Sequence, residues 1–197
     1  MTVYGASYEP SGLRKPNGKI VGGATELLLQ DETPDGGINT RVSKSSSGRP
    51  VQVVSVPTQI SWPANLKLQD YEALFVRTVS DRLRYLIEDI EPSVHQFIEL
   101  HYVRKTGEIL HKRWFWQVCN RIDSVFAERP GWVFDRVSWR YPSGDKLIFD
   151  VTKSKGSHFW HEKHVYCGLM MSEHAMARLN EEDISGFSLH EYATVQS

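Results

Sequence analysis

The stretch SHFWHEKHVYC, in the last third of the chain, carries side chains of the types that bind metal ions. It places four of them three positions apart each time: His158, His161, His164 and Cys167. Imidazole and thiolate are ligands that Zn²⁺ accepts, so one hypothesis is a zinc site and a metal-dependent enzyme. The alternative hypothesis is a histidine-rich strand that holds no metal.

Neither regular secondary structure brings these four side chains together. On a helix, positions three apart advance by about 300° and drift around the cylinder. On a strand, His158 and His164 face one way, whereas His161 and Cys167 face the other. The sequence has no second group with C-x-x-C or H-x-x-x-H spacing to complete a site. The spacing therefore favours the strand, and we predict no metal and no other cofactor.

The sequence shows no other pattern of a catalytic site. Neither Cys119 nor Cys167 lies in a protease-like context, and there is no G-x-S-x-G nucleophile elbow. The segment GKIVGG lacks the residue order of a phosphate-binding loop. We therefore predict no catalytic residues and a protein that is not an enzyme.

The segment HKRWFWQ mixes basic and aromatic residues, as platforms for single-stranded nucleic acids do. In a strand, however, Trp114, Trp116 and Val118 share one face, which suits the core of a sheet. A net charge of −1 is also a poor basis for general nucleic-acid binding. We favour core packing and predict no direct nucleic-acid partner, with a nucleic-acid-binding adaptor as the alternative.

The ends of the chain and its apolar stretches bear on location. The first residues, MTVYGASYEP, lack the basic and apolar regions of a secretory signal. No stretch approaches the roughly 18 apolar residues of a membrane-spanning helix. We therefore expect a cytoplasmic protein with no membrane partner.

The composition changes near residue 50. Residues 1–50 are punctuated by Gly, Pro, Ser and Asn, which is typical of loops, and only KIVGGATELLLQ there suits regular structure. Residues 51–197 are orderly. We therefore predict a loop-rich N-terminal segment, which could be part of a small subdomain, and one domain over residues 51–197.

Hydrophobic periodicity places helices and strands within that domain. Ser80 is predicted to cap a helix in SDRLRYLIEDIEP, and Ser172 is predicted to cap a second one in EHAMARLNEED. Strands are predicted in VHQFIELHYV and LHKRWFWQV, joined as a hairpin near Gly107, and in GWVFDRVSWRY, KLIFDVT and FSLHEY. The predicted fold class is α+β, with a central, mostly antiparallel sheet and flanking helices.

Both predicted helices end in carboxylates, where the helix dipole disfavours negative charge. These residues are Glu88, Asp89 and Glu91 at the first helix, and Glu181, Glu182 and Asp183 at the second. One interpretation is solvated faces, eased by an Arg84–Glu88 pair. The other interpretation is that the negative charge is placed for a basic partner.

Three stretches together resemble a bacterial family, immunity protein eleven, which belongs to polymorphic-toxin systems. They are VSDRLRYLIEDIEPSVHQFIEL, WFWQVCNRIDSV and MSEHAMARLNEEDISGFSLHEY. The resemblance covers about residues 51–192, with Asn120, Asp123, Ser172 and Gly186 at points of the family pattern. The histidine series departs from that pattern, which favours the strand without metal.

The resemblance implies a non-catalytic inhibitor. Such proteins bind one cognate secreted toxin over or beside its active site and protect the producing cell and its kin. If the toxin is a nuclease, its cleft is basic, because it holds phosphate. The six helix-end carboxylates are then the expected toxin-binding residues.

Overall fold

The computed structural model describes residues 2–9, 19–23, 26–29, 44–56, 58–62, 67–73, 76–154 and 156–196. Within these residues the chain forms sixteen β-strands and two α-helices. Two six-stranded sheets, each curled into a half-barrel, dominate the structure. The fold is therefore mostly β, and the predicted α+β class, with one central sheet and flanking helices, is wrong.

The first sheet is built from strands that lie far apart in the sequence. In order across the sheet they are β10 (Arg121–Ile122), β14 (Phe159–Glu162), β15 (Leu169–Ser172), β1 (Val3–Tyr8), β16 (Phe187–Val195) and β13 (Ile148–Asp150). β1 lies between β15 and β16 and is antiparallel to both. The segment that contains β1 was predicted to be loop-rich, so this part of the fold prediction is wrong. A domain boundary at residue 50 stays a prediction.

The small residues of β1 make it resemble a loop in the sequence. One of them, Gly5, packs closely against the neighbouring strand. A Cβ atom on Gly5 would lie 2.6 Å from the Tyr192 ring of the neighbouring strand. Real Cβ atoms do not approach other atoms so closely, so any larger residue there would require the Tyr192 ring to move. The composition that indicates a loop in VYGASY therefore reflects a close strand contact.

The second sheet contains the predicted hairpin. In order across the sheet its strands are β2 (Lys19–Gly22), β5 (Gln59–Ser61), β8 (Gln96–Val103), β9 (Ile109–Gln117), β7 (Arg77–Val79) and β6 (Tyr71–Ala73). β8 and β9 pair antiparallel, and the N–H of Gly107 donates to the carbonyl of Arg104 in the turn between them. The hairpin prediction is confirmed.

Two short strand pairs complete the β structure of the described residues. They are β3 (Glu26–Leu29) with β4 (Val51–Ser55), and β11 (Val133–Phe134) with β12 (Trp139–Arg140). GWVFDRVSWRY was predicted as one strand, which is wrong, because a turn divides it into β11 and β12. β13 pairs with β16 in parallel.

The two helices begin at the predicted caps. α1 spans Asp81–Ile90 and α2 spans Glu173–Glu181. The Oγ of Ser80 accepts the N–H of Leu83 at 3.1 Å, and the Oγ of Ser172 accepts the N–H of Ala175 at 3.1 Å. Both cap predictions are confirmed. Each hydroxyl satisfies a backbone donor that the first helical turn leaves free.

A shared apolar core connects the helices with both sheets. Trp116 of β9 and Phe159 of β14 are fully buried, and their rings meet edge to face at 5.5 Å. α1 contributes Leu83 and Ile87 to the same cluster. Burying side chains of this size contributes about 2–3 kcal/mol each, so this cluster holds the two sheets together.

Gly186, directly before β16, lies against the backbone of β6. Gly186 has a φ of 104°, and a Cβ there would overlap the carbonyl oxygen of Tyr71. The N–H of Tyr71 donates to the carbonyl of Ser185 at 3.0 Å. Gly186, one of the positions of the family pattern, therefore lets two backbones from different sheets approach closely.

Candidate protein-binding surface

Five of the six predicted carboxylates form an exposed acidic surface at the helix ends. Its members are Glu88, Asp89, Glu181, Glu182 and Asp183, and we call them the acidic helix-end surface. The side chain of Asp89 is 64% exposed and that of Glu181 is 68% exposed. The guanidinium of Arg178 contacts both carboxylates, at 3.0 and 3.6 Å, so the ends of the two helices adjoin. The structure brings Asp89 and Glu181 together through Arg178, and it places the carbonyl of Asp183 against Arg82, near the start of α1.

The cations within the acidic helix-end surface only partly balance it. Arg84 pairs with Glu88 at 3.1 Å, as predicted, and Arg178 forms ion pairs with both Asp89 and Glu181. Exposed pairs of this kind contribute little to stability, typically about 0–1 kcal/mol. Among the described residues, the carboxylates of Glu182 and Asp183 have no ion-pair partner. The surface therefore keeps negative charge that a partner can meet.

Asp70 holds the start of α1 against the segment that follows α2. Its carboxylate accepts hydrogen bonds from the Ser80 hydroxyl at 2.7 Å and from the N–H and hydroxyl of Ser185 at 3.0 and 2.9 Å. Burial alone would raise the pKa of Asp70, but these hydrogen bonds outweigh it and lower the pKa. Arg82 adds a bond to the carbonyl of Asp183 at 2.6 Å. These bonds connect the start of α1 to the segment after α2, which contains Asp183.

Glu91, the sixth predicted carboxylate, lies inside the protein. Its side chain is 6% exposed. The carboxylate accepts hydrogen bonds from the Asn120 amide at 2.9 Å and from the N–H groups of His158 and Phe159 at 2.9 and 3.0 Å. Glu91 thus connects the end of α1 with the first sheet, and it is not part of the acidic helix-end surface.

The proton of His95 can be placed from its two hydrogen bonds. Its Nδ1 receives the N–H of Cys119 at 3.1 Å, and a backbone N–H can only donate. The hydrogen of the neutral ring is therefore on Nε2, which donates to Glu91 at 2.9 Å. Burial would raise the pKa of Glu91, but the bonds from His95, His158 and Phe159 lower it below its ordinary value. Glu91 is thus an ionised carboxylate surrounded by donors.

The histidine series does not converge. His158 shares a hydrogen bond with Ser172 at 2.7 Å, and His161 is buried between Gly168 and Arg77. His164 contacts the Val137 carbonyl at 2.9 Å. No group of three or more metal-ligating side chains occurs in the part of the chain that the structure describes. The three histidines instead join β14 and its flanking loops to three different neighbours.

The environments of the thiols and of the paired tryptophans also fit structural roles. Burial raises the pKa of Cys119 to about 11, and burial likewise raises the pKa of Cys167. Both are therefore protonated near neutrality and poor nucleophiles. Trp116 is fully buried, which confirms the predicted core packing. The ring of Trp114 lies under the Arg84 guanidinium at 3.9 Å.

Sequence reasoning missed a second surface, the hairpin of β11 and β12. It exposes apolar side chains, with Val133 60% and Phe134 43% exposed. The Phe134 ring packs against the rings of Trp139 and His164, both at 4.9 Å. Because neighbouring residues of a strand face opposite sides, Val133 and Phe134 do not form one patch, and Phe134 is the one that lies on a packed support. Treating GWVFDRVSWRY as one strand concealed the turn and its exposed tip.

Comparison with known proteins gives this geometry its context. Residues 26–194 match one family, described as the immunity protein family (Imm11). The chain belongs to this family. The resemblance seen in the sequence is confirmed, and the immunity protein matches its family from well before residue 51. A search of curated proteins found no match.

The positions that carried the resemblance have structural roles in the immunity protein. The Asn120 amide donates to Glu91 at 2.9 Å and to the Phe159 carbonyl at 3.0 Å. Ser172 caps α2, and Gly186 packs on β6. Asp123 lies 3.7 Å from His164. The family pattern therefore marks the framework that supports the surfaces.

The two helices of the immunity protein are short. They have ten and nine residues, and no helix in the described ranges has the length and apolar character needed to cross a bilayer.

The immunity protein should show a pH dependence that comes from Glu162 of β14. Burial raises the pKa of this carboxyl to about 7, although it accepts hydrogen bonds from the N–H and hydroxyl of Ser124 at 2.9 and 2.6 Å. The folded pKa lies above the ordinary value of 4.5. The contribution of Glu162 to stability is therefore complete below pH 4.5 and is lost as the pH rises through 7.

The wild type is expected to lose unfolding free energy between pH 5 and pH 8. We predict that this loss is smaller by about 1–3 kcal/mol in Glu162→Gln, because glutamine does not titrate. Urea unfolding at both pH values measures the difference. Glu128→Gln, which removes an exposed carboxylate, is the control and should leave the pH dependence as in the wild type. Equal pH dependence in the wild type and Glu162→Gln would contradict the assignment.

Proposed function

We propose that this immunity protein neutralises a cognate secreted bacterial toxin by binding over or beside its active site. Immunity proteins are in general not enzymes, and each binds its own toxin. The observation that carries the proposal is the acidic helix-end surface. It places carboxylates against the dipoles of both helices and holds them there through the contacts of Asp70 and Arg178.

The charge of this surface indicates the chemistry of the partner. A row of carboxylates fits a basic surface, and the cleft of a nuclease is basic because it binds phosphate. A nuclease toxin is therefore the partner class that fits best. The immunity protein would act in the cytoplasm of the producing cell and its kin, without contacting nucleic acid or membrane itself.

Neutralising the exposed carboxylates at the end of α2 should slow capture of the toxin. The variant Glu181→Gln/Glu182→Gln/Asp183→Asn is expected to lower the association rate constant about tenfold at low salt, because electrostatic steering is lost. The salt dependence of association should also weaken. Stopped-flow mixing with the toxin domain encoded beside the immunity gene, over a salt series, measures both effects.

A matched triple variant separates local charge from net charge. Glu99→Gln/Glu108→Gln/Glu128→Gln removes the same number of exposed carboxylates from other parts of the chain. Its association rate should stay close to that of the wild type. If both triple variants slow association equally, the acidic helix-end surface has no special role. Failure of the wild type to bind and inhibit this toxin domain would reject the proposed function itself.

A further inference from the structure

The turn between β11 and β12 holds an arginine in a backbone conformation that arginine rarely adopts. Arg136 has a φ of 78°, in the left-handed region that favours glycine. Its side chain is exposed, and its guanidinium has no hydrogen-bond or ion-pair partner within the described residues. Strain of this kind persists where the surrounding structure enforces it, often at binding sites.

Asp135 enforces this conformation. Its carboxylate accepts the N–H groups of Val137 and Ser138 at 3.3 and 2.9 Å, and the Nε of Arg140 donates to it at 2.9 Å. These donors, the N–H of Ser138 above all, lower the pKa of Asp135 to about 2. The acidic charge is thus engaged inside the turn and beside Arg140. It does not neutralise the guanidinium of Arg136.

Two hydrogen bonds connect the turn and β12 to His164, in the segment that follows β14. His164, two residues beyond β14, contacts the carbonyl of Val137 at 2.9 Å, and its own carbonyl accepts the N–H of Trp139 at 3.1 Å. The same imidazole packs on the Phe134 ring. The tip is therefore held in one geometry before any partner arrives. A rigid contact surface loses little conformational entropy on binding.

We propose that Phe134 and Arg136 form an anchor that enters an acidic, partly apolar pocket on the cognate toxin domain. This inference rests on the proposed function and names a second contact of the same complex. The unpartnered guanidinium calls for carboxylates, and the exposed Phe134 side chain, two positions before it in the sequence, calls for an apolar wall. The toxin then presents an acidic pocket to the hairpin and a basic area to the acidic helix-end surface.

Arg136→Gly tests the anchor because it separates binding from folding. Glycine accepts a positive φ, so the unfolding midpoint in urea should be unchanged or higher. Loss of the guanidinium should weaken binding to the toxin domain encoded beside the immunity gene by at least about thirtyfold. Arg136→Asn is the second variant, because asparagine also tolerates this conformation and removes the charge. Titration calorimetry with the purified toxin domain gives the affinities.

Lys105→Gly is the matched control. Lys105 is an exposed cation in the β8–β9 turn, and its replacement should leave the affinity as in the wild type. Wild-type binding that persists in both Arg136 variants, or that falls equally in the control, overturns the anchor and leaves the proposed function intact. No binding by the wild type overturns the proposed function, and the anchor with it.

Discussion

Glu91→Gln is expected to lower the free energy of unfolding by about 2–6 kcal/mol, because two buried donors lose their acceptor at a cost of about 1–3 kcal/mol each. Glutamine has nearly the same shape as glutamate, but its amide nitrogen is a donor. The carboxylate of Glu91 receives only donors, among them the Asn120 amide and the N–H groups of His158 and Phe159. The variant therefore places a donor against donors. Urea unfolding at neutral pH measures the loss.

The difference in unfolding free energy between the wild type and Glu91→Gln should depend on pH. The folded pKa of Glu91 is lowered from 4.5, so its contribution is present above that value and lost as the pH falls through the folded pKa. The stability gap between wild type and Glu91→Gln should then narrow with acidification. Glu88→Gln, an exposed carboxylate on the same helix, should change stability by no more than about 0.5 kcal/mol. If Glu91→Gln has the same free energy of unfolding as the wild type at neutral pH, the hydrogen bonds to Glu91 are not needed for stability.

Gly186→Ala is expected to lower the free energy of unfolding by about 2–5 kcal/mol, from two additive causes. Alanine is strained at a φ of 104°, and its Cβ would overlap the Tyr71 carbonyl oxygen. The backbones of β6 and the segment before β16 would have to separate. Because Asp70 binds Ser185 next to this contact, the support of α1 should loosen as well. Thermal or urea unfolding gives the loss.

Gly144→Ala isolates the backbone cost. Gly144 has a φ of 89°, but nothing lies within 4 Å of the position that its Cβ would take. This variant should lose only about 1 kcal/mol. Equal losses in the two variants would mean that the contact with Tyr71 contributes nothing.

Features governed by neighbours in the sequence were predicted well. Ser80 and Ser172 cap their helices because a hydroxyl three residues before a free N–H is a local arrangement. The β8–β9 hairpin follows from alternating strands and the turn near Gly107. The two faces of β9 were also assigned correctly, with Trp116 and Phe115 in different clusters.

The fold class was predicted wrongly because it depends on distant pairings. β1 finds its partners in β15 and β16, more than 160 positions away, and no local pattern encodes that choice. The short strand β10 has two residues, too few to show a period. The two helices and the β8–β9 hairpin, which have clear local patterns, then dominated the prediction.

The site was predicted in part. Charge at the helix ends is visible in the sequence, but burial is not, and Glu91 was grouped with the exposed acids. One signal could have separated it, because Glu91 follows Leu83 by eight residues and Ile87 by four and so continues their apolar face. The turn at Arg136 offered no such signal, since arginine is not a residue that normally marks a positive φ.

The pairing of β1 with β15 and β16 also decides when a newly made chain can complete the first sheet. Both edges of β1 stay unpaired until the ribosome has added the residues of β15 and β16. Such open edges are prone to wrong pairing. The first sheet can therefore form only after the residues of β16 have left the ribosome.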